Sequence, residues 1–148
     1  MKVERRQMEA SAMIRGNTGY SELFGKAYFR QSPMGGVIVT VEVVGLPKKN
    51  EFLGMHIHEF GDCTHPFDKT GTHYNPSREM HPMHAGDLLP LLNNKGYAYV
   101  TFYDNRFSIK DVVGKSIVIH SMRDDFTSQP AGDSGEKIGC GTIWEENR

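Results

Sequence analysis

The chain has 148 residues, a length typical of one domain with a single hydrophobic core. Its 17 Lys and Arg nearly balance 18 Asp and Glu, and a formal net charge of −1 gives no strong positive field to attract nucleic acid or an anionic membrane. Two cysteines, Cys63 and Cys140, are too few for a four-cysteine zinc module or a disulfide-stapled miniprotein.

The sequence predicts neither a targeting segment nor a membrane-spanning segment. No apolar stretch approaches the roughly 20 residues that a membrane-spanning helix needs. Residues 1–13 mix both charge signs and lack the apolar segment of a signal peptide. We therefore expect a soluble, cytoplasmic protein with neither a membrane nor a nucleic-acid partner.

Short β-branched and aromatic runs between turn residues predict a mostly β fold, because no long segment has helical periodicity. The predicted strands, in chain order, cover residues 9–15, 23–31, 36–44, 53–59, 97–103, 116–120 and 139–144. Residues 105–109 are a weaker candidate. Turn signals at residues 47–50 and 93–96 indicate consecutive antiparallel strands.

Two segments, residues 60–92 and 121–138, are too long to be simple turns, and loops of this length in a compact domain are usually functional or disordered. We find no repeat or linker-like stretch. The sequence thus predicts one domain over residues 9–148, preceded by an N-terminal extension of residues 1–8.

The 7 histidines fall into a pattern that suggests metal binding. His56 and His58 are two apart on a predicted strand, so both project to one face. By the same alternation, His120 points away from Ile117 and Ile119 and provides a third nitrogen donor. Taken alone, the His-x-His pair also fits a half-exposed strand with outward polar residues.

The first long loop contains His73, His81, His84 and Asp87. Three imidazoles and one carboxylate form a closed tetrahedral set of the kind that zinc accepts. The alternative for any one of them is a solvated loop histidine, and this is the reading we give to His65.

Over roughly residues 9–144, the chain resembles the Cu/Zn superoxide dismutases. The resemblance rests on five motifs, HIHEFGD (residues 56–62), GTHYNP (71–76), HAGDL (84–88), VIHxxxDD (118–125) and GCGTI (139–143). It implies an all-β fold, an eight-stranded Greek-key β-sandwich or flattened barrel with the metals under two long functional loops.

The resemblance also implies the ligand sets. Copper would be bound by His56, His58, His73 and His120. Zinc would be bound by His73, His81, His84 and Asp87, so that the His73 ring is shared. Asp124 would hydrogen-bond one histidine of each set and fix its ring.

The implied activity converts superoxide to O2 and H2O2 by alternating reduction and oxidation of the copper, beside a structural zinc. His73 would deliver a proton, and a cation near the copper would attract the substrate anion. The family has an arginine three residues before the second cysteine, whereas this chain has Lys137. Lysine keeps the charge but loses the planar fork, so we expect reduced activity.

Cys63 and Cys140 match the family's disulfide, and Cys63 follows His58 by five residues, as in the bacterial-type branch. Two free thiols are the alternative, because the cytosol keeps thiols reduced. The partners implied are superoxide, a second copy of the chain and a copper donor protein. Trp144 fits either an exposed interface anchor or a core residue.

Two rival functions stay open at this point. A copper- and zinc-sequestering protein with the same fold would have little turnover, and Met80 and Met83 favour it because thioether sulfur prefers Cu(I). A structural domain that binds zinc alone is the other rival.

Overall fold

A computed structural model describes residues 7–146 of the chain. It contains the strands β1 (Glu9–Gly16), β2 (Phe24–Gln31), β3 (Val37–Val44), β4 (Asn50–Leu53), β5 (Met55–His58), β6 (Leu91–Asn94), β7 (Ala98–Asp104), β8 (Ser116–His120), β9 (Lys137–Thr142) and β10 (Trp144–Glu145). A short 3-10 helix spans Asp68–Thr70, and one α-helix, α1, spans Ile109–Val112.

The strands form one eight-stranded antiparallel sheet and one small two-stranded sheet. The large sheet has the order β5-β8-β9-β1-β2-β3-β7, with β10 also paired to β1, and the small sheet joins β4 to β6. Pairs between strands far apart in sequence, such as β3 with β7 and β5 with β8, are typical of Greek-key connections. The predicted all-β, eight-stranded fold class is confirmed.

Side-chain alternation explains the core. In β3, Val37, Val39, Val41 and Val43 are all buried, while the residues between them are more exposed. β5 and β8 differ, because every residue of both strands is buried. The two long loops therefore cover the outer face of β5 and β8, and this is the face that presents the strand histidines.

The first long loop also covers an edge of the sheet, since β5 is its terminal strand. Ile57 N donates to Gly86 O and Tyr74 N donates to Ile57 O, both at 2.8 Å. A disulfide between Cys63 and Cys140 ties the same loop to β9, which confirms the predicted pairing. Within residues 7–146, no helix has the length and apolar character needed to cross a membrane.

Some predicted elements were wrong. Residues 53–59 form two strands instead of one, because Gly54 breaks the run: its N–H donates to Met122 O and its carbonyl accepts from His120 N. Leu91–Asn94 form the strand β6, where the sequence predicts the end of a long loop and the start of a turn. Residues 105–109 form no strand; Ser108 instead caps α1, with its side chain accepting from Asp111 N.

The first described strand, β1, begins at Glu9. Residues 1–6 of the predicted extension lie outside the described residues. The last predicted strand is split into β9 and β10. Trp144 is 64% exposed on β10, so it is a surface residue and not part of the core.

Candidate metal centre

Four histidines meet at the face of β5 and β8 that the loops cover. His56 and His58 come from β5, His120 from the end of β8, and His73 from the first loop, where it pairs with His58 as an isolated bridge. One ring nitrogen from each lies within 4.8 Å of the others, and all four residues are buried. Two of these nitrogens, His58 Nε2 and His120 Nε2, are 3.3 Å apart. We call this the four-histidine cluster.

A second cluster forms on the other side of His73. His73 Nδ1 lies 2.8 Å from Asp87 Oδ1 and 3.2 Å from His84 Nδ1. His81 Nδ1 and His84 Nδ1 lie 3.1 and 3.2 Å from Asp87 Oδ2. These spacings are near the edge of about 3.3 Å in a tetrahedron of ligands 2.0 Å from zinc. We call this the His–Asp cluster.

The two clusters share His73 and touch through His56. The rings of His56 and His73 stack with centroids 3.9 Å apart. A set of ligand atoms within 4.8 Å also joins His56 to His73, His81 and Asp87. We assign His84 to the His–Asp cluster ahead of His56, because His84 Nδ1 lies 3.2 Å from both His73 Nδ1 and Asp87 Oδ2.

Three buried ring nitrogens in these clusters have no hydrogen-bond partner, His56 Nδ1, His73 Nε2 and His81 Nδ1. The His81 contact with Asp87 is an ion-pair distance without hydrogen-bond geometry. A buried polar atom without a partner is costly, so native proteins rarely leave one. A metal ion would satisfy these lone pairs. Imidazole suits copper and zinc, and the carboxylate suits zinc.

Asp124, in the second long loop, joins the two clusters. Its Oδ2 accepts from His56 Nε2 at 2.8 Å, and its Oδ1 accepts from His81 Nε2 at 2.7 Å. These bonds place the ring protons on Nε2 and leave both Nδ1 atoms free as ligands. Burial alone would raise the pKa of Asp124, but the hydrogen bonds from His56 and His81 outweigh it and hold that pKa below its usual value.

Burial also favours the neutral, metal-binding form of His56, His58 and His120 by lowering their pKa values. It lowers the pKa of His56 to about 4 and that of His120 to about 3. The pKa of His58 is likewise well below its ordinary value, through burial first and the neighbouring His120 next.

A cleft of about 600 Å³ opens over the clusters, lined among others by His58, His73, His120 and Lys137. Lys137 Nζ donates to Thr70 Oγ1 at 2.8 Å and lies 3.3 Å from Gly71 O. The same carbonyl of Gly71 accepts from His58 Nδ1 at 2.9 Å. The cation is therefore fixed beside the four-histidine cluster. Burial lowers the pKa of Lys137, partly offset by Asp68.

The structure brings the predicted metal ligands together in these two clusters, with Asp124 and Lys137 beside them. His65, which the sequence places outside the site as a solvated loop residue, is exposed and lies outside both clusters. Sequence reasoning missed Thr70 and Gln129. Gln129 Oε1 accepts from His81 N at 2.9 Å, and its Nε2 donates to His81 O at 2.7 Å, which links the two long loops. No local pattern reveals such a contact between residues 48 positions apart.

An antiparallel β fold whose long loops close over two buried ligand clusters with one shared imidazole defines a metalloprotein with paired metal sites. Residues 23–143 match the family model of the copper/zinc superoxide dismutases (SODC). The chain belongs to this family, with a histidine copper site and a His/Asp zinc site.

Similar proteins support this assignment. The chain is 31% identical over 159 residues to superoxide dismutase [Cu-Zn] 3 of Arabidopsis thaliana, across 97% of this chain and 94% of that protein. Its fold is similar to the crystal structure of the clock protein EA4, with a TM-score of 0.82 and 26% identity, across 97% of this chain and 98% of the other.

Proposed function

We propose that this protein is an active superoxide dismutase, which converts two superoxide anions and two protons into one O2 and one H2O2. The observation that supports this most is the four-histidine cluster at an open cleft with a fixed cation beside it. A small anion can reach such a site from solvent. The proposed reaction needs no side-chain nucleophile.

We assign the copper ligands as His56, His58, His73 and His120, and the zinc ligands as His73, His81, His84 and Asp87. Bound copper supplies the one-electron redox chemistry, while zinc has none and stabilises the loop. The shared His73 ring makes the two sites interdependent. Asp124 adds a second link between them, through His56 and His81.

We infer that Lys137 attracts superoxide to the cleft. A local positive potential raises the encounter rate of a small anion even when the net charge is slightly negative. However, the ammonium has three donors, and it already faces Thr70 Oγ1, Gly71 O and Phe67 O. It therefore has little free capacity to hold the substrate in one orientation, and we propose lower turnover than a planar guanidinium would give.

His73 supplies a proton to the product. Its Nε2 is buried without a hydrogen-bond partner and belongs to the four-histidine cluster at the base of the cleft. Its Nδ1 is held by Asp87 at 2.8 Å, which fixes the ring. A proton held at Nε2 is thus positioned near the point where superoxide arrives.

Metal analysis combined with a superoxide-decay assay tests the proposal. We expect one copper and one zinc per chain with rapid decay. His120→Ala removes a copper ligand outside the His–Asp cluster, so it should abolish decay and leave zinc bound. His65→Ala is the matched control, because His65 is exposed and lies outside both clusters. Full metal content without decay would contradict the proposal.

Sequestration of metal is a second candidate, favoured by two exposed methionines. Met80 and Met83 flank His81 and are 66% and 61% exposed, which offers thioether sulfur for Cu(I) beside the site. Tight copper binding with negligible decay would support this function. The bacterial-type branch, the cytoplasmic location, a homodimer and a copper donor protein remain predictions.

A further inference from the structure

Arg106 lies just after β7 and reaches across to the first long loop. Its Nε and Nη2 donate to the two carboxylate oxygens of Asp104, at 3.2 and 3.0 Å. Its Nη1 donates to the carbonyl of His84 at 3.2 Å, and its Nη2 also donates to the carbonyl of Asp87. One guanidinium therefore connects β7 to the backbone of two residues of the His–Asp cluster.

The backbone that Arg106 contacts is a tight turn. Asp87 N donates to His84 O at 3.0 Å, and His84 N donates to Asp87 Oδ2 at 2.9 Å. The turn thus fixes the Asp87 carboxylate relative to the His84 ring. Residues 71–90, which contain this turn, form no regular helix or strand. External contacts must therefore hold the ligands in place.

We propose that Arg106 is a positioning residue for zinc, which holds His84 and Asp87 in their metal-binding arrangement through their carbonyl oxygens. The inference depends on the zinc site and not on dismutase activity. Residues that orient metal ligands from behind typically change metal affinity when they are replaced. Here the orientation acts on the main chain instead of the imidazole N–H.

Asp104 makes this arrangement specific for arginine. It is nearly buried, with 5% of its side chain exposed, and it accepts from Nε and Nη2 on one side of the guanidinium. Nη1 and Nη2 are then directed to the two carbonyls. A lysine could keep the charge pair with Asp104, but it lacks the rigid planar fork of nitrogens that reaches Asp104 and both carbonyls at once.

The test compares Arg106→Lys with the wild-type protein, each made metal-free and reloaded with one equivalent of copper and one of zinc. Zinc affinity is measured by competition with a chromophoric chelator. We expect it to fall roughly 10- to 100-fold, while copper affinity changes little. Arg30→Lys, an exposed arginine on β2, is the matched control and should bind zinc as the wild type does.

If Arg106 only stabilised the fold, replacing it would affect the zinc-bound and the metal-free protein alike. Thermal unfolding with and without zinc separates the two, because a ligand stabilises the folded state according to its affinity. We expect Arg106→Lys to shrink the zinc-induced rise in melting temperature, beyond any change in the metal-free protein. An equal fall with and without zinc, or unchanged zinc affinity, overturns the proposal.

If Arg106→Lys does not fold, Asp104→Asn provides the same comparison, since it keeps Arg106 but removes the charge that orients it. Weaker zinc binding in that variant supports the proposal, and wild-type zinc binding overturns it. Neither the zinc competition nor the thermal unfolding uses superoxide, so both measurements test the role of Arg106 even if the protein has no dismutase activity.

Discussion

The backbone of Gly132 passes directly against the carboxylate of Asp124. A Cβ atom on Gly132 would lie 2.0 Å from Asp124 Oδ1 and 2.6 Å from His81 Nε2. Gly132 also has a positive φ of 70°, which L side chains rarely adopt. The second long loop can thus deliver Asp124 to both clusters only if this position has no side chain.

We predict that Gly132→Ala weakens zinc binding by roughly 10- to 100-fold, because the added methyl displaces Asp124 from His81 and His56. Zinc competition with a chelator measures the effect. Gly35→Ala is the control for backbone strain alone, since Gly35 has a φ of 80° and no atom near its added Cβ. Equal zinc affinity in the two variants would disprove the steric explanation.

The second prediction concerns the positive charge of Lys137. Lys137→Glu should lower kcat/KM by about tenfold or more, because it reverses the local potential at the cleft. The rate should then rise with ionic strength, where the wild-type rate falls. A stopped-flow superoxide assay at several salt concentrations measures both effects. An unchanged kcat/KM in this variant would show that Lys137 takes no part in the mechanism.

Lys137→Arg probes geometry at constant charge. We expect kcat/KM to increase about two- to tenfold, which corresponds to one additional hydrogen bond to the substrate. Its salt dependence should match that of the wild type. A lower rate would show that the contacts from Thr70 and Gly71 are specific for an ammonium group.

The histidine pattern was readable from the sequence because strand alternation is local. His56 and His58 are two residues apart on β5, so their side chains lie on the same face of the strand. This spacing alone predicted that the two rings lie together. The same alternation indicated His120, and the donor chemistry of the first long loop indicated the zinc set. The family resemblance divided the ligands between copper and zinc and supplied the Cys63–Cys140 pairing, which spacing by itself left open. The disulfide confirms the pairing, and the match of residues 23–143 confirms the family.

The parts that the sequence did not predict depend on long-range contacts. β4 and β6 pair only with each other, in a sheet of four-residue strands, and neither has a strong apolar alternation. The contact of Arg106 with His84 and Asp87 joins a strand end to a loop about twenty residues earlier. No short window of sequence contains both partners of such a contact.

Thr70 provides a test of how Lys137 is held. It is fully buried, and its hydroxyl lies 2.8 Å from Lys137 Nζ. Thr70→Val keeps the shape but removes this acceptor, so the ammonium should become less ordered and kcat/KM should fall about two- to tenfold. The salt dependence should not change, because the charge is retained. Thr70→Ser should restore the rate; failure to do so would indicate a packing effect.

The Cys63–Cys140 disulfide stabilises the loop on which the Lys137 contacts depend. It closes a segment with a sequence separation of 77, and Phe67, buried beside Cys140 and Val118, lies within that loop. On the chain-entropy model, a variant with both cysteines changed to serine should lose about 4 kcal/mol of unfolding free energy. Urea unfolding measures this loss. Because the chain has only these two cysteines, a reductant should destabilise the wild-type protein by a similar amount and leave the serine variant unchanged. A wild-type protein that unfolds at the same urea concentration with and without reductant would refute this role.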